Sequence, residues 1–258
     1  MPEPSLLIFD TVADTDTRPE KSDLYQKAAA FVARQARASV AARRRFLLAL
    51  SGGSTPEPLF RRLAQPPYRD GLPWAQTHVF WADERAVPPD HPASNYGQAQ
   101  RLLLERVAVP PEQIYRIPGE EDPLTAAEAY ADVLRRQSDA GRAWPRLDLV
   151  LLGMGSDGHT ASLFPGSAFP IKRPQPTMAV SVKYGDRPAG RVTLTPGIIN
   201  DARQILFLVT GESKAEALAA VLEGEPRPVQ LPAQRVQPRD GAVCWMIDRA
   251  AAQQLQQV

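Results

Sequence analysis

The stretch LDLVLLGMGSDGHTASLFPG, residues 147–166, joins an apolar run to a glycine-rich loop that carries a histidine. The run LDLVLL lacks the polar alternation of a half-exposed strand, so it reads as a strand buried on both faces of a sheet. Gly153, Gly155 and Gly158 satisfy the G-x-G-x-x-G fingerprint of a dinucleotide-binding loop, and the strand context for it is met. Three features oppose that reading. Asp157 puts a carboxylate where a pyrophosphate would sit. A helix starting here meets Pro165 and Gly166 after about two turns. The ribose-binding acid expected ~20 residues on is missing, because that region reads IKRPQP.

The glycines fit better as the shapers of a tight loop at the carboxyl end of a strand, where open α/β sheets bind their ligands. In an extended segment, residues two apart point the same way, so Asp157 and His159 are expected to face one ligand. An imidazole of ordinary pKa, about 6.5, accepts and returns a proton near neutral pH. His159 is therefore the candidate base and Asp157 its acidic neighbour.

Outward from this stretch, short apolar runs alternate with helical patterns. FLLAL (46–50), THVFW (77–81), QILFLV (204–209) and AVCWMI (242–247) read as buried strands, with QIYRI (113–117), TMAVSV (177–182) and RVTLT (191–195) as weaker ones. A helix is expected from about Ser22 to Arg44. Its Leu24, Ala28, Phe31 and Val32 form one apolar stripe, and Ser22 or Asp23 is its N-cap. Further helices are expected over 56–64, 95–107, 123–140 and 212–222. This alternation implies an α/β fold with a mainly parallel, Rossmann-like sheet covered by helices on both faces. No repeat or linker composition divides the chain, so one domain over residues 1–258 is expected.

Three more motifs follow candidate strands. After FLLAL comes Ser51-Gly52-Gly53-Ser54-Thr55, then Pro56 at a helix start. Glycines, hydroxyls and a helix N-terminus suit a phosphate, and a plain β–α turn has the same composition. After HVFW come Asp83, Glu84 and Arg85 and a proline-stiffened loop to Ser94-Asn95. They form either a solvated salt-bridged turn or a site in which Arg85 pairs with an anion and an acid positions it. The last pair is Arg191, which opens RVTLT, and Lys214, which follows QILFLV. Each is by default a surface cation, and together they offset most of a phosphomonoester's charge of about −1.5 to −2. His78 is expected in the core or on a sheet face, and His91 in solvent.

The whole chain imposes looser bounds. Hydrophobic residues make up 43% and charged residues 23% of the 258, and the formal net charge is +1. No global field therefore draws this protein to nucleic acid or an anionic membrane, and any anionic partner is small and held locally. No apolar run nears the ~20 residues of a membrane span, and the N-terminus lacks a signal peptide's basic region. The single Cys244 excludes an intrachain disulfide and sits in an apolar run, as a buried structural thiol does. A cytoplasmic protein is expected. Three scattered histidines without H-E-x-x-H argue against a zinc site, and no G-x-S-x-G nucleophile elbow occurs.

Read together and in order, LALSGGSTP, WADERAVPPDHPASN, LVLLGMGSDGHTASLFPG and RVTLTPGIINDARQILFLVTGESKA resemble the 6-phosphogluconolactonase family. Its superfamily also contains glucosamine-6-phosphate deaminase. The resemblance spans nearly the whole chain. It implies hydrolysis of the δ-lactone of 6-phosphogluconate, a sugar-phosphate lactone, without metal or cofactor. It implies that His159 activates water and that Asp157 orients or polarises the site. Gly52, Gly53, Ser54, Thr55, Arg191 and Lys214 would hold the 6-phosphate, and Arg85 with Asn95 would line the pocket. Asp83 matches an acid that the deaminases use in proton transfer. Backbone N–H groups of the glycine-rich loop are the expected oxyanion donors. A monomer is expected, with a homodimer as the alternative. Three rivals remain: a sugar-phosphate deaminase/isomerase on the same scaffold, a non-catalytic sugar-phosphate sensor, and a nicotinamide oxidoreductase.

Overall fold

Parallel pairing organises most of this chain. The computed structural model describes residues 4–10, 23–167, 175–183, 185 and 188–256. Among the described residues nine strands form: β1 (Ser5–Phe9), β2 (Phe46–Leu50), β3 (Thr77–Trp81), β4 (Asp83–Arg85), β5 (Leu149–Leu152), β6 (Thr177–Ser181), β7 (Gly190–Leu194), β8 (Gln204–Val209) and β9 (Ala242–Asp248). Six of them form one sheet in the order β1-β9-β8-β5-β2-β3, and each pairing in it is parallel. Helices between the strands close the sheet. This is the expected α/β architecture, and it accounts for the unbroken apolar runs. Every residue of β2 and β5 is buried, which requires cover on both faces.

The expected stripe Leu24, Ala28, Phe31 and Val32 lies buried on the helix Asp23–Arg43. The candidate cap Ser22 lies outside the described residues. Cys244 is buried on β9, and burial raises its thiol pKa.

Two strand expectations change. QIYRI is not a strand. Its first residue ends the 3-10 turn Pro111–Gln113, and a single bridge joins Ile114 to Val79. Pro110 and Pro111, just ahead of it, have no N–H to extend a ladder. Conversely, DER forms β4, which pairs antiparallel with β7, and β7 pairs with β6, giving a separate three-stranded sheet. Ala82 joins the two sheets: its N–H donates to Leu50 O and its carbonyl accepts from Leu194 N–H, both at 2.7 Å.

The chain leaves β2 for β3 on one side, while β5, β8 and β9 build outward on the other. The order therefore reverses between β2 and β5, the position where such sheets open a crevice at their carboxyl ends. Motif residues follow β2, β3, β5 and β8, which are consecutive neighbours in the sheet, and Arg191 lies on β7 of the small sheet.

Candidate active site

The loops after these four strands enclose a cleft. It is lined by Ser51 to Pro56, Asp83, Arg85, Gly153, Met154, Gly155, His159, Ala161, Arg191 and Lys214. Ser51 ties two walls together by donating its hydroxyl to Leu151 O on β5 at 2.8 Å.

His159 is held from several sides. Its Nδ1 lies 2.6 Å from Asp157 Oδ1, and its own N–H donates to the same oxygen at 3.1 Å. Burial pushes the Asp157 carboxyl up, but the bonds and charge of His159 outweigh it, so its pKa lies below the ordinary 3.8. An ionised carboxylate only accepts, so Nδ1 carries the proton and Nε2 is the basic nitrogen. The imidazole packs against Phe164, ring centroids 4.5 Å apart. On its other flank is Gly155, where a Cβ would come within 2.1 Å of Nδ1. Gly155 is thus a glycine because the ring occupies the space of its side chain.

The loop is a turn rather than an extended segment, with Gly158 at φ +77°. Asp157 therefore does not share His159's view of the cleft. It stands behind the ring and is not among the lining residues. The loop also uses its own N–H groups: Gly155 donates to His159 O, Gly158 to Gly155 O, and His159 to Asp157. These three N–H groups are therefore turned inward, unlike the expected oxyanion donors.

Three cations also line the cleft. Arg85 and Arg191 are direct partners across β4 and β7. Like charges at facing positions repel, and an anion between them relieves the repulsion. Arg191 is buried, with its guanidinium 5.2 Å from the Phe164 ring centroid, so Phe164 lies between it and His159. Arg85 donates Nη1–H to Ala93 O at 2.6 Å, while its buried Nε has no hydrogen-bond partner among the described residues. Lys214 ends the 3-10 turn Glu212–Lys214, ahead of the helix Ala215–Leu222. Buried Asp248, at the end of β9, anchors that turn by accepting from Gly211 N–H.

The SGGST loop lies beside these cations. The helix after it, Glu57–Leu63, has seven residues and begins past Pro56.

Asp83 faces the cleft from a polar nest. Its Oδ2 accepts from Ser162 Oγ at 2.7 Å and its Oδ1 from Asn95 Nδ2 at 3.2 Å. Asn95 is not a lining residue. It is buried behind the wall, and its Oδ1 would lie 1.8 Å from a Cβ on Gly52. Gly52 is therefore glycine to admit Asn95. Glu84 points away from the cleft and receives four bonds, from the N–H groups of Arg85, Asn95 and Tyr96 and from Ser94 Oγ. Burial raises its pKa, and these donors oppose the rise.

His78 is half-buried, stacked on Tyr115, and His91 is exposed. Among the described residues, no group of three or more His, Cys, Asp or Glu is placed to hold a metal, and no helix is long and apolar enough to cross a membrane. Ser162, Phe164 and Gln98 also contact the site, although none of them stands out in the sequence as a site candidate. Ser162 and Phe164 follow His159 by three and five positions but look like loop filler. Gln98 has no signal beyond its spacing from Asn95.

Residues 19–245 match the family described as glucosamine-6-phosphate isomerases/6-phosphogluconolactonase. The 6-phosphogluconolactonase of Synechocystis sp. is 38% identical over 247 residues, covering 93% of this chain and 97% of that protein. Its counterpart from Haemophilus influenzae is 38% identical over 208 residues, covering 81% and 87%. The structure of 6-phosphogluconolactonase from Trypanosoma cruzi, 27% identical, superposes with a TM-score of 0.81 over 98% of this chain and 97% of that one. On the extent of the family match and these identities, the chain belongs to the glucosamine-6-phosphate isomerase/6-phosphogluconolactonase family.

Proposed function

We propose that this protein hydrolyses 6-phospho-D-glucono-1,5-lactone to 6-phospho-D-gluconate, the lactone-opening step of the oxidative pentose phosphate pathway. The observation that carries the reading is His159, backed by Asp157 at 2.6 Å, in one cleft with Arg85, Arg191 and Lys214. A base and three cations share one cleft lined by a glycine-rich loop. That arrangement suits a substrate with an electrophilic carbonyl at one end and a phosphate at the other.

In this mechanism the phosphate is gripped by Arg191, Lys214 and the Ser51–Thr55 loop, and Arg85 lines the pocket. The grip orients the lactone and supplies binding energy remote from the reacting carbon. His159 Nε2 takes a proton from water as its oxygen bonds to C1. The tetrahedral intermediate then collapses, the bond from C1 to the ring oxygen breaks, and the imidazolium returns the proton to that oxygen. Asp157 holds the tautomer and steadies the transient imidazolium. A lactone needs no covalent nucleophile, metal or cofactor for this step. The reading takes the 258 residues as one cytoplasmic unit, acting as a monomer or a homodimer.

The test is lactone opening above the uncatalysed background, with glucosamine 6-phosphate and unphosphorylated gluconolactone as comparison substrates. Wild type is expected to open the phosphorylated lactone, to open the unphosphorylated one far more slowly, and to release no ammonia from glucosamine 6-phosphate. His159→Ala is expected to fold and to lose catalysed opening. Full activity in that variant would exclude the histidine mechanism. Ammonia release by wild type would move the chain to the deaminase branch of the family.

A further inference from the structure

The Ser51–Thr55 loop that lines the cleft with the three cations is held by a side chain outside the cleft. Gln98 lies on the helix Asn95–Leu102, three positions after Asn95 and on the same side. Its amide meets the Gly53 backbone twice: Gly53 N–H donates to Oε1 at 3.1 Å, and Nε2 donates to Gly53 O at 3.0 Å. One side chain thus reproduces the two-bond exchange of an antiparallel residue pair. The other Nε2 hydrogen goes to Glu57 Oε1 at 2.8 Å. A carboxylate cannot donate, so Glu57 fixes which end of the amide meets which atom of Gly53.

Gly53 has φ +100°, in the region where only glycine is at ease, and Gln98 clamps it at both polar atoms. The start of the same helix is set by Glu84, which accepts from Asn95 and Tyr96 N–H, while Asn95 donates to Asp83. One helix therefore ties the wall bearing Asp83 and Arg85 to the Ser51–Thr55 loop. Because Gly53 N–H is committed to Gln98, an anion meets the neighbouring amides and the hydroxyls of Ser54 and Thr55. Their placement depends on the Gly53 peptide.

We infer that Gln98 is a positioning residue for the substrate's phosphate, acting through Gly53 to set the loop donors. The inference rests on the reading above that this loop grips the phosphate.

The experiment compares wild type with Gln98→Leu by titration calorimetry with 6-phosphogluconate, by thermal melting, and by kinetics on the phosphorylated and unphosphorylated lactones. Losing the clamp is expected to weaken 6-phosphogluconate binding about ten-fold, which corresponds to ~1.4 kcal/mol. KM for the phosphorylated lactone should rise to match, with kcat within about two-fold and a near-native melting temperature. Turnover of unphosphorylated lactone should be unchanged. Unaltered affinity, or an equal loss on both lactones, would overturn the assignment. Should Gln98→Leu fail to fold, Gln98→Met takes its place, and failure of both would make Gln98 a purely structural residue. A wild type that binds 6-phosphogluconate without opening the lactone would refute the proposed reaction, while the affinity ratio still decides the role of Gln98. No binding by wild type would overturn both.

Discussion

The direction of the His159 ring is set by neighbours of three kinds: a carboxylate on Nδ1, an aromatic face, and a glycine flank with no room for a methyl group. Of these, Asp157 is the one whose charge matters. Asp157→Asn keeps the shape but removes the ion and admits an amide that prefers the other tautomer. Steady-state kinetics on the lactone are expected to show kcat/KM falling by about 10²-fold or more, with the fold intact. The same pair has an acid signature. Asp157's folded-state pKa lies below 3.8, so the stability it contributes is complete above that pH and is lost as pH falls through the lower folded value. Denaturant titrations should show the gap between wild type and Asp157→Asn closing only in this acid range. A constant gap from neutral pH down through it would refute the linkage.

Among the elements, the helix Asn95–Leu102 depends most on a single carboxylate. Glu84 satisfies two N–H groups at its start, Ser94 Oγ, and the N–H of Arg85. Glu84→Gln turns an NH2 toward donors that need an acceptor. A urea titration is expected to show a loss of about 2–3 kcal/mol, within the range for stranding buried donors. An unchanged midpoint would show that the helix start does not rely on Glu84.

The bounds of β2, β3 and β8 match their apolar runs residue for residue, because strands buried on both faces leave an unbroken apolar signature. The small sheet was not legible as a sheet. DER has no strand pattern, and it becomes β4 only by pairing with β7, more than a hundred positions later in the sequence. The site divides in the same way. Glycines, hydroxyls and cations after strand ends stand out locally, and the fold gathers them into one cleft. Which of them face it does not stand out: Asp157 and Asn95 stand behind the wall, and Gln98, Ser162 and Phe164 become visible only through contacts with Gly53, Asp83 and Arg191 in distant segments. Asp157 was misplaced because two-residue spacing aligns side chains in an extended chain but not in a turn with a left-handed glycine.

At the scale of the molecule, near neutrality in charge coexists with a strongly cationic cleft, since Arg85 and Arg191 are brought face to face by pairing and not by composition. The sheet order has a further consequence, one of timing. Within the sheet β1 pairs with β9 alone, and 238 positions separate Ser5 from Val243, whose carbonyl it contacts. At about 5–20 residues per second on the ribosome, the first strand waits on the order of ten seconds or longer for its partner. Pulse-labelled hydrogen exchange during refolding should show Ser5–Phe9 amides protected no earlier than those of Ala242–Asp248, and the reverse order would refute this dependence. Through that delay SLLIF is an uncharged apolar segment without its ladder, the kind of sequence that recruits strands from other chains. That exposure ends only when β9 has been synthesised and takes its place beside SLLIF.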